Sequence, residues 1–286
     1  MGGPFVECST IPKPIILMNN AVQQPPILRA VKLSKSFLGL QALQEFTAEV
    51  KRGEILGLIG PNGAGKTTCF NVLTGFLRPT AGTIEFDGQD ITHLPAARVA
   101  RLGMARTFQN IRLFGTLSVL ENVRSAAQLH VHFNLAETML NGREYRRKES
   151  EILNRSLEIL ALMELDQLAD HPAGSLPYGA QRRLEIARAL GTTPKMLLLD
   201  EPAAGMNPAE SDALNELILD IRKRFDLTII LVEHDMRLVM NLCDRIIVLN
   251  YGKTIASGSP EVVRSDSQVI AAYLGESSAA VQKPPF

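Results

Sequence analysis

The stretch Gly60-Pro61-Asn62-Gly63-Ala64-Gly65-Lys66-Thr67 sets a lysine and a hydroxyl directly after glycine-rich backbone, in the spacing GxxxxGK[ST]. Glycines let the chain wrap closely enough for successive N–H groups to surround an oxyanion. A helix opening at the same point adds the positive end of its dipole. Lys66 then supplies a point charge for the β- and γ-phosphates of a nucleotide, and the Thr67 hydroxyl suits Mg²⁺. A dinucleotide-binding turn does not fit, because Thr68 stands where the third glycine of that fingerprint belongs.

Splitting a bound triphosphate also needs a carboxylate near the metal and a group that orients the attacking water. Leu197-Leu198-Leu199-Asp200-Glu201 offers both where an apolar run ends. In open α/β sheets ligands sit at the carboxyl ends of the strands. Asp200 is therefore assigned to the metal, directly or through water, and Glu201 to orienting and polarising the water. A third run ends in Leu231-Val232-Glu233-His234-Asp235, where His234 would contact the γ-phosphate or position the water.

These groups need a scaffold, and four short apolar runs supply it: residues 54–59, 195–199, 227–232 and 245–249. Runs apolar on both faces suit strands of a parallel sheet covered by helices. The first leads into the phosphate loop, and Thr68-Cys69-Phe70-Asn71-Val72-Leu73 reads as the helix after it. From about 111 to 190 the text turns helical and mixed in charge, as in residues 145–151, so a helical segment interrupts the α/β core. Residues 1–27, with Pro4, Pro12, Pro14, Pro25 and Pro26, read as a flexible tail, and so do residues 278–286.

Composition narrows the possibilities. The 286 residues carry 30 lysines and arginines against 30 aspartates and glutamates, so nucleic acid has no basic surplus to bind. The three cysteines, Cys8, Cys69 and Cys243, are odd in number and far apart, which indicates neither a disulfide framework nor a zinc site. The first twenty residues lack the basic start and apolar stretch of a secretory signal. No run approaches the ~18 apolar residues that span a bilayer, so a membrane role requires docking on another protein.

In their order along residues 28–277, these motifs resemble the ABC transporter ATPases. The resemblance implies a P-loop NTPase (RecA-like) α/β core with an antiparallel β portion and an inserted α-helical subdomain at about 111–190. It implies that Phe37 stacks on adenine, that Gly60 to Thr68 is the Walker A loop, and that Gln109, in Arg106-Thr107-Phe108-Gln109-Asn110, touches Mg²⁺ and links to the membrane subunits. Leu176-Pro177-Tyr178-Gly179-Ala180-Gln181 matches the signature segment, usually LSGGQ, which in the family faces ATP held by the other subunit of a head-to-tail dimer. Tyr178, Gly179, Ala180 and Gln181 are carried over as nucleotide contacts on that basis. Asp200-Glu201 matches Walker B, Gly205-Met206-Asn207-Pro208 the D-loop, and His234 the switch histidine. Two positions depart from the pattern: Pro177 replaces the signature serine, and Asn207 the D-loop aspartate. Proline has no hydroxyl and no backbone N–H, so either Gly179 and its neighbours suffice for the trans contact or the site facing this signature is weakened.

Within the family, LPYGAQRRLEIARAL, DEPAAGMNPAE, LVEHDMRLVM, VIAAYLGE and a helical segment around Asn134 to Leu160 resemble the ATPases of branched-chain amino-acid importers. That likeness implies two transmembrane permease subunits, a second ABC ATPase (identical or a paralogue), an indirect link to a solute-binding protein, and a peripheral place on the cytoplasmic face of the inner membrane. Residues 111–123 would form the coupling surface, with Phe114 and Leu117 either exposed there or part of the core. Alternatives are a related transporter ATPase (urea, amide or lipopolysaccharide export) and a non-transport ABC ATPase. The latter usually carries tandem units, a long coiled coil or basic extensions, none of which is present here. A regulator that binds without hydrolysing would rest on Pro177, against Glu201 and His234.

Overall fold

The structure, a computed structural model, describes residues 25–131 and 142–280. All four apolar runs are strands: β3 (Ile55–Ile59), β7 (Met196–Asp200), β8 (Thr228–Val232) and β9 (Arg245–Asn250). With β6 (Met104–Arg106) and β10 (Lys253–Gly258) they form a six-stranded sheet in the order β10-β9-β3-β8-β7-β6. Every pairing in it is parallel except β10 with β9. Successive residues of a strand face opposite sides, and here each side has its own core. Leu56, Leu58, Leu198, Ile230 and Ile247 pack with Phe70 and Phe86 on one side. On the other, Ile55, Leu197, Ile229 and Ile246 pack with Leu184, Leu214 and Val239. Two cores explain why these runs read as continuously apolar.

The first core is closed by an antiparallel sheet in the order β2-β1-β4-β5, built from β1 (Leu28–Phe37), β2 (Leu40–Val50), β4 (Ala81–Phe86) and β5 (Gln89–Asp90). Against the second core lie α3 (Val119–Ala127), α4 (Arg143–Leu162) and α5 (Tyr178–Gly191), the expected helical segment. Of the stretch read as helical from Asn134, residues 134–141 lie outside the described residues, and α4 opens at Arg143. The crossovers α1 (Lys66–Leu73), α6 (Pro208–Arg224) and α7 (Met236–Leu242) follow β3, β7 and β8, while α2 (Ala96–Arg101) precedes β6.

Both ends of the folded part lie closer to the chain ends than expected. Ile27 is buried, donates its N–H to Val50 O (2.9 Å) and accepts from Asp87 N–H (2.7 Å), so it belongs to the domain and not to a tail. At the other end α8 (Pro260–Ser265) leads into α9 (Ser267–Ala280), which runs three residues beyond the expected limit at 277. Residues 1–24 and 281–286 lie outside the described part.

Candidate functional site

The phosphate loop begins where β3 ends. At Gly60 (φ 151°) a Cβ would stand 2.1 Å from Leu249 O, and at Gly65 (φ 102°) 2.5 Å from Ala42 O. These two glycines are thus required by close backbone approach from β9 and β2. The turn after β9 ties in as well, Gly252 N–H donating to Ala64 O at 2.8 Å. Gly65 then caps α1 without any side-chain bond, and the first turn of α1 holds no acidic residue. The helix therefore presents its positive end uncompensated. Lys66 is buried, and its Nζ donates to Gly60 O (2.5 Å) and Pro61 O (2.9 Å), lying across the loop. Asn62, Gly63 and Thr67 are exposed, Pro61 and Ala64 buried, Thr68 half-buried.

Three of the expected residues meet at one carboxylate. Gln109 Nε2 donates to Glu201 Oε2 (2.7 Å), and His234 Nε2 donates to Glu201 Oε1 (2.6 Å). Each Glu201 oxygen thus has its own donor, from residues 92 positions before it and 33 after it. Asp200, one residue earlier, is buried, with its N–H held by Thr107 Oγ1 (3.2 Å).

The remaining residues lie apart from this meeting point. Phe37 ends β1, half open to solvent, with the Lys35 ammonium 5.1 Å from its ring centroid. Its strand pairs with β2, whose Ala42 touches the phosphate loop. The signature residues open α5. Pro177 is the N-cap and makes no side-chain cap bond, so the first N–H groups of the helix are left to an external acceptor. No atom would lie within 4 Å of a Cβ at Gly179. Tyr178 turns its hydroxyl to Arg182, and Gln181 Nε2 donates to Leu176 O (2.8 Å). Both side chains are therefore tied to neighbours on or beside their own helix, and Ala180 is buried. Pro177 and Gly179 line a cleft of about 630 Å³ with Met206 and Leu217, an apolar edge in place of a hydroxyl. Asn207 caps α6: its side chain accepts from Glu210 N–H (3.0 Å), and Glu210 returns the bond to Asn207 N–H (2.9 Å).

Several supporting residues were not read from the sequence. Arg182 donates to Phe108 O (2.8 Å) and Gln109 O (2.5 Å), and Glu185 accepts from Phe108 N–H (3.2 Å), so α5 grips the backbone that presents Gln109. Burial pushes the Glu185 carboxyl up. Glu233 accepts from Ala203 N–H (2.7 Å) and His234 N–H (3.0 Å), tying the end of β8 to the loop after Glu201, and burial pushes its carboxyl up too. Arg106 pairs with Asp200 (2.8 Å). These partners are 30 to 94 positions apart, apart from adjacent ones, so no local pattern could mark them. Of the segment expected to form the coupling surface, Phe114 and Leu117 are exposed, at 53% and 36%, while Val119 and Val123 are core.

Residues 43–204 match the family described as ABC transporter, and residues 253–279 match the one described as branched-chain amino acid ATP-binding cassette transporter. The chain is 45% identical over 251 residues to the high-affinity branched-chain amino acid transport ATP-binding protein of Pseudomonas aeruginosa, covering 88% of this chain and 98% of that protein. It is 47% identical over the same length and shares to the protein of that description from Escherichia coli strain K12. Among solved structures, a nucleotide-free ATP-binding cassette from an ABC transporter superimposes with a TM-score of 0.75 at 32% identity, covering 87% of this chain and 98% of that one. A motif series in order, a fold shared with a solved cassette and identity running the length of its relatives agree: the chain belongs to the ABC transporter family, as one of its ATP-hydrolysing, ATP-binding subunits.

Proposed function

We propose that this subunit hydrolyses Mg·ATP to power import of branched-chain amino acids, working on the cytoplasmic face of the inner membrane. The observation that carries the catalytic part is Glu201 held by both oxygens between Gln109 and His234. Each carboxylate oxygen keeps a further lone pair for a water, so the two donors aim the base without consuming it. When nucleotide enters, Lys66 leaves the Gly60 and Pro61 carbonyls for the β- and γ-phosphates, and Phe37 lies under the adenine. The Thr67 hydroxyl, Asp200 and Gln109 are all oxygen donors, the ligand type a hard cation takes. They would hold Mg²⁺, whose charge offsets that developing on the phosphate oxygens.

The open N-terminus of α5 would meet the ATP of a second ABC ATPase, with Gly179 giving the phosphate close access in place of the missing serine. Phe114 and Leu117 are apolar and exposed on a short segment, as a docking surface for two transmembrane permease subunits requires. A solute-binding protein would act through those permeases. No helix among the described residues is long and apolar enough to cross a membrane, so the subunit is proposed to attach from outside the bilayer.

The amino-acid reading rests on relatives matched over nearly their whole length and on the separate match at residues 253–279. It is tested by removing the chain from its host and following uptake of labelled leucine, isoleucine and valine. Uptake should fall and be restored by the wild-type chain but not by Glu201→Gln. Unchanged uptake of all three would overturn the amino-acid reading and leave the ATPase chemistry in place.

A further inference from the structure

Arg106 ends β6 beside β7, whose last residue is Asp200. Its Nη2 donates to Asp200 Oδ2 at 2.8 Å, and the two side chains are each only 6% exposed. Nη1 donates to Asn71 Oδ1 (2.6 Å) and reaches Thr74 Oγ1 (3.4 Å), both on the helix that starts at the phosphate loop or at its end. The guanidinium carbon lies 5.5, 5.7 and 5.1 Å from the ring centroids of Phe70, Phe76 and Phe108. Three aromatic faces and two polar anchors fix a cation in place, a setting suited to the planar arginine head. Buried ion pairs give little net stability over an apolar replacement. The pair therefore calls for a reason in the charge itself.

That reason lies in what a divalent cation requires. A hard cation is held in proportion to the negative oxygen donors around it. No group of three or more His, Cys, Asp or Glu side chains able to hold a metal exists among the described residues. Arg106 balances the charge on Asp200, whereas the Glu201 carboxylate is oriented by the hydrogen bonds from Gln109 and His234. The cleft by itself thus offers a cation the charge of Glu201 alone, with that of Asp200 already balanced. A nucleotide's phosphates would bring the rest.

We infer that Arg106 is a positioning residue for the metal carboxylate: it holds Asp200 by one oxygen and balances its charge, so the site admits a divalent cation only together with nucleotide. The inference rests on the reading of Asp200 as the metal carboxylate. Through Asn71 and Phe108 the same side chain also links the phosphate-loop helix to the segment bearing Gln109, so the carboxylate is set relative to both.

The test uses full-length protein and Mn²⁺ as the probe, with free Mn²⁺ measured by its paramagnetic resonance signal, first without nucleotide and then with ATP. Arg106→Met keeps the apolar contact with the three rings and removes the charge, Arg106→Lys keeps the charge, and Arg106→Gln replaces the Met variant if that one fails to melt cooperatively. Without nucleotide, the neutral variant should bind Mn²⁺ roughly tenfold or more tightly than wild type, because one uncompensated carboxylate has been added. Arg106→Lys should bind as weakly as wild type. A folded neutral variant with wild-type affinity for Mn²⁺ alone would overturn the inference. Asp200→Asn separates the two readings. If it leaves the metal dependence of ATP binding intact, the assignment of Asp200 itself fails. If it abolishes that dependence while the neutral Arg106 variants gain no metal, only the role of Arg106 fails.

Discussion

At Glu201 the chain enters the left-handed region (φ 50°), its N–H reaching Val232 O while its carboxylate meets Gln109 and His234. A non-glycine residue there is held against its own preference by its surroundings, consistent with a carboxylate whose direction matters. Glu201→Gln should leave ATP affinity near wild type and lower turnover by roughly 10²–10⁴-fold, the usual worth of a positioned base. Parallel nucleotide-binding and phosphate-release assays check this, and normal turnover would remove Glu201 from its role. Pro177 allows a second prediction, because the cap position makes no side-chain bond that a serine would disturb. Pro177→Ser should keep or raise ATPase activity in the assembled dimer, and a large loss would show that the proline is needed there. How much of the site could be read in advance follows from residue spacing. The phosphate loop and the two strand-end acids are local patterns. Phe37 and Gln109 stood out only through the family resemblance. Arg106 could not stand out, since its partner Asp200 is 94 positions away.

Among the elements, the parallel strands were legible because each is buried on both faces, whereas the antiparallel sheet was not. β1 should alternate, but its burial runs buried, exposed, buried, exposed, exposed, buried. A register shift between Ala30 and Leu33, with Lys32 at φ 48°, breaks the period of two that would have marked the strand. Glu45 at φ 46° lies in the irregular part of β2. Helix α6 carries the clearest testable element feature. Its capping box joins Asn207 and Glu210, with Pro208 at the first helical position, so the departure from the family aspartate still supplies a good cap. Asn207→Ala should cost about 1 kcal/mol and lower Tm by roughly 2–4 °C. Asn207→Asp should melt like wild type, since aspartate caps equally well. Thermal denaturation of the three proteins decides it, and equal melting of the alanine variant would show that the cap contributes nothing.

Over the whole molecule, one sheet divides two cores, and the two described cysteines mark them: Cys69 beneath the phosphate loop and Cys243 after α7. Burial pushes the Cys69 thiol far up, and burial followed by the nearby Asp244 carboxylate pushes Cys243 up to about 12. Only the thiolate reacts readily, so raising the pH to 8 should not expose either one. Mass spectrometry after alkylation at pH 8 should find both unmodified in native protein and modified after denaturation. Rapid native labelling at either would contradict the packing. The two cores leave the candidate coupling surface at Phe114 and Leu117 turned outward. Whether the subunit drives a transporter is decided most directly by trapping tagged Glu201→Gln protein with ATP in its host and identifying what copurifies from gently solubilised membranes. The account predicts two multi-span subunits together with a second ABC ATPase. Recovery of only soluble partners, ribosomes or DNA would contradict it.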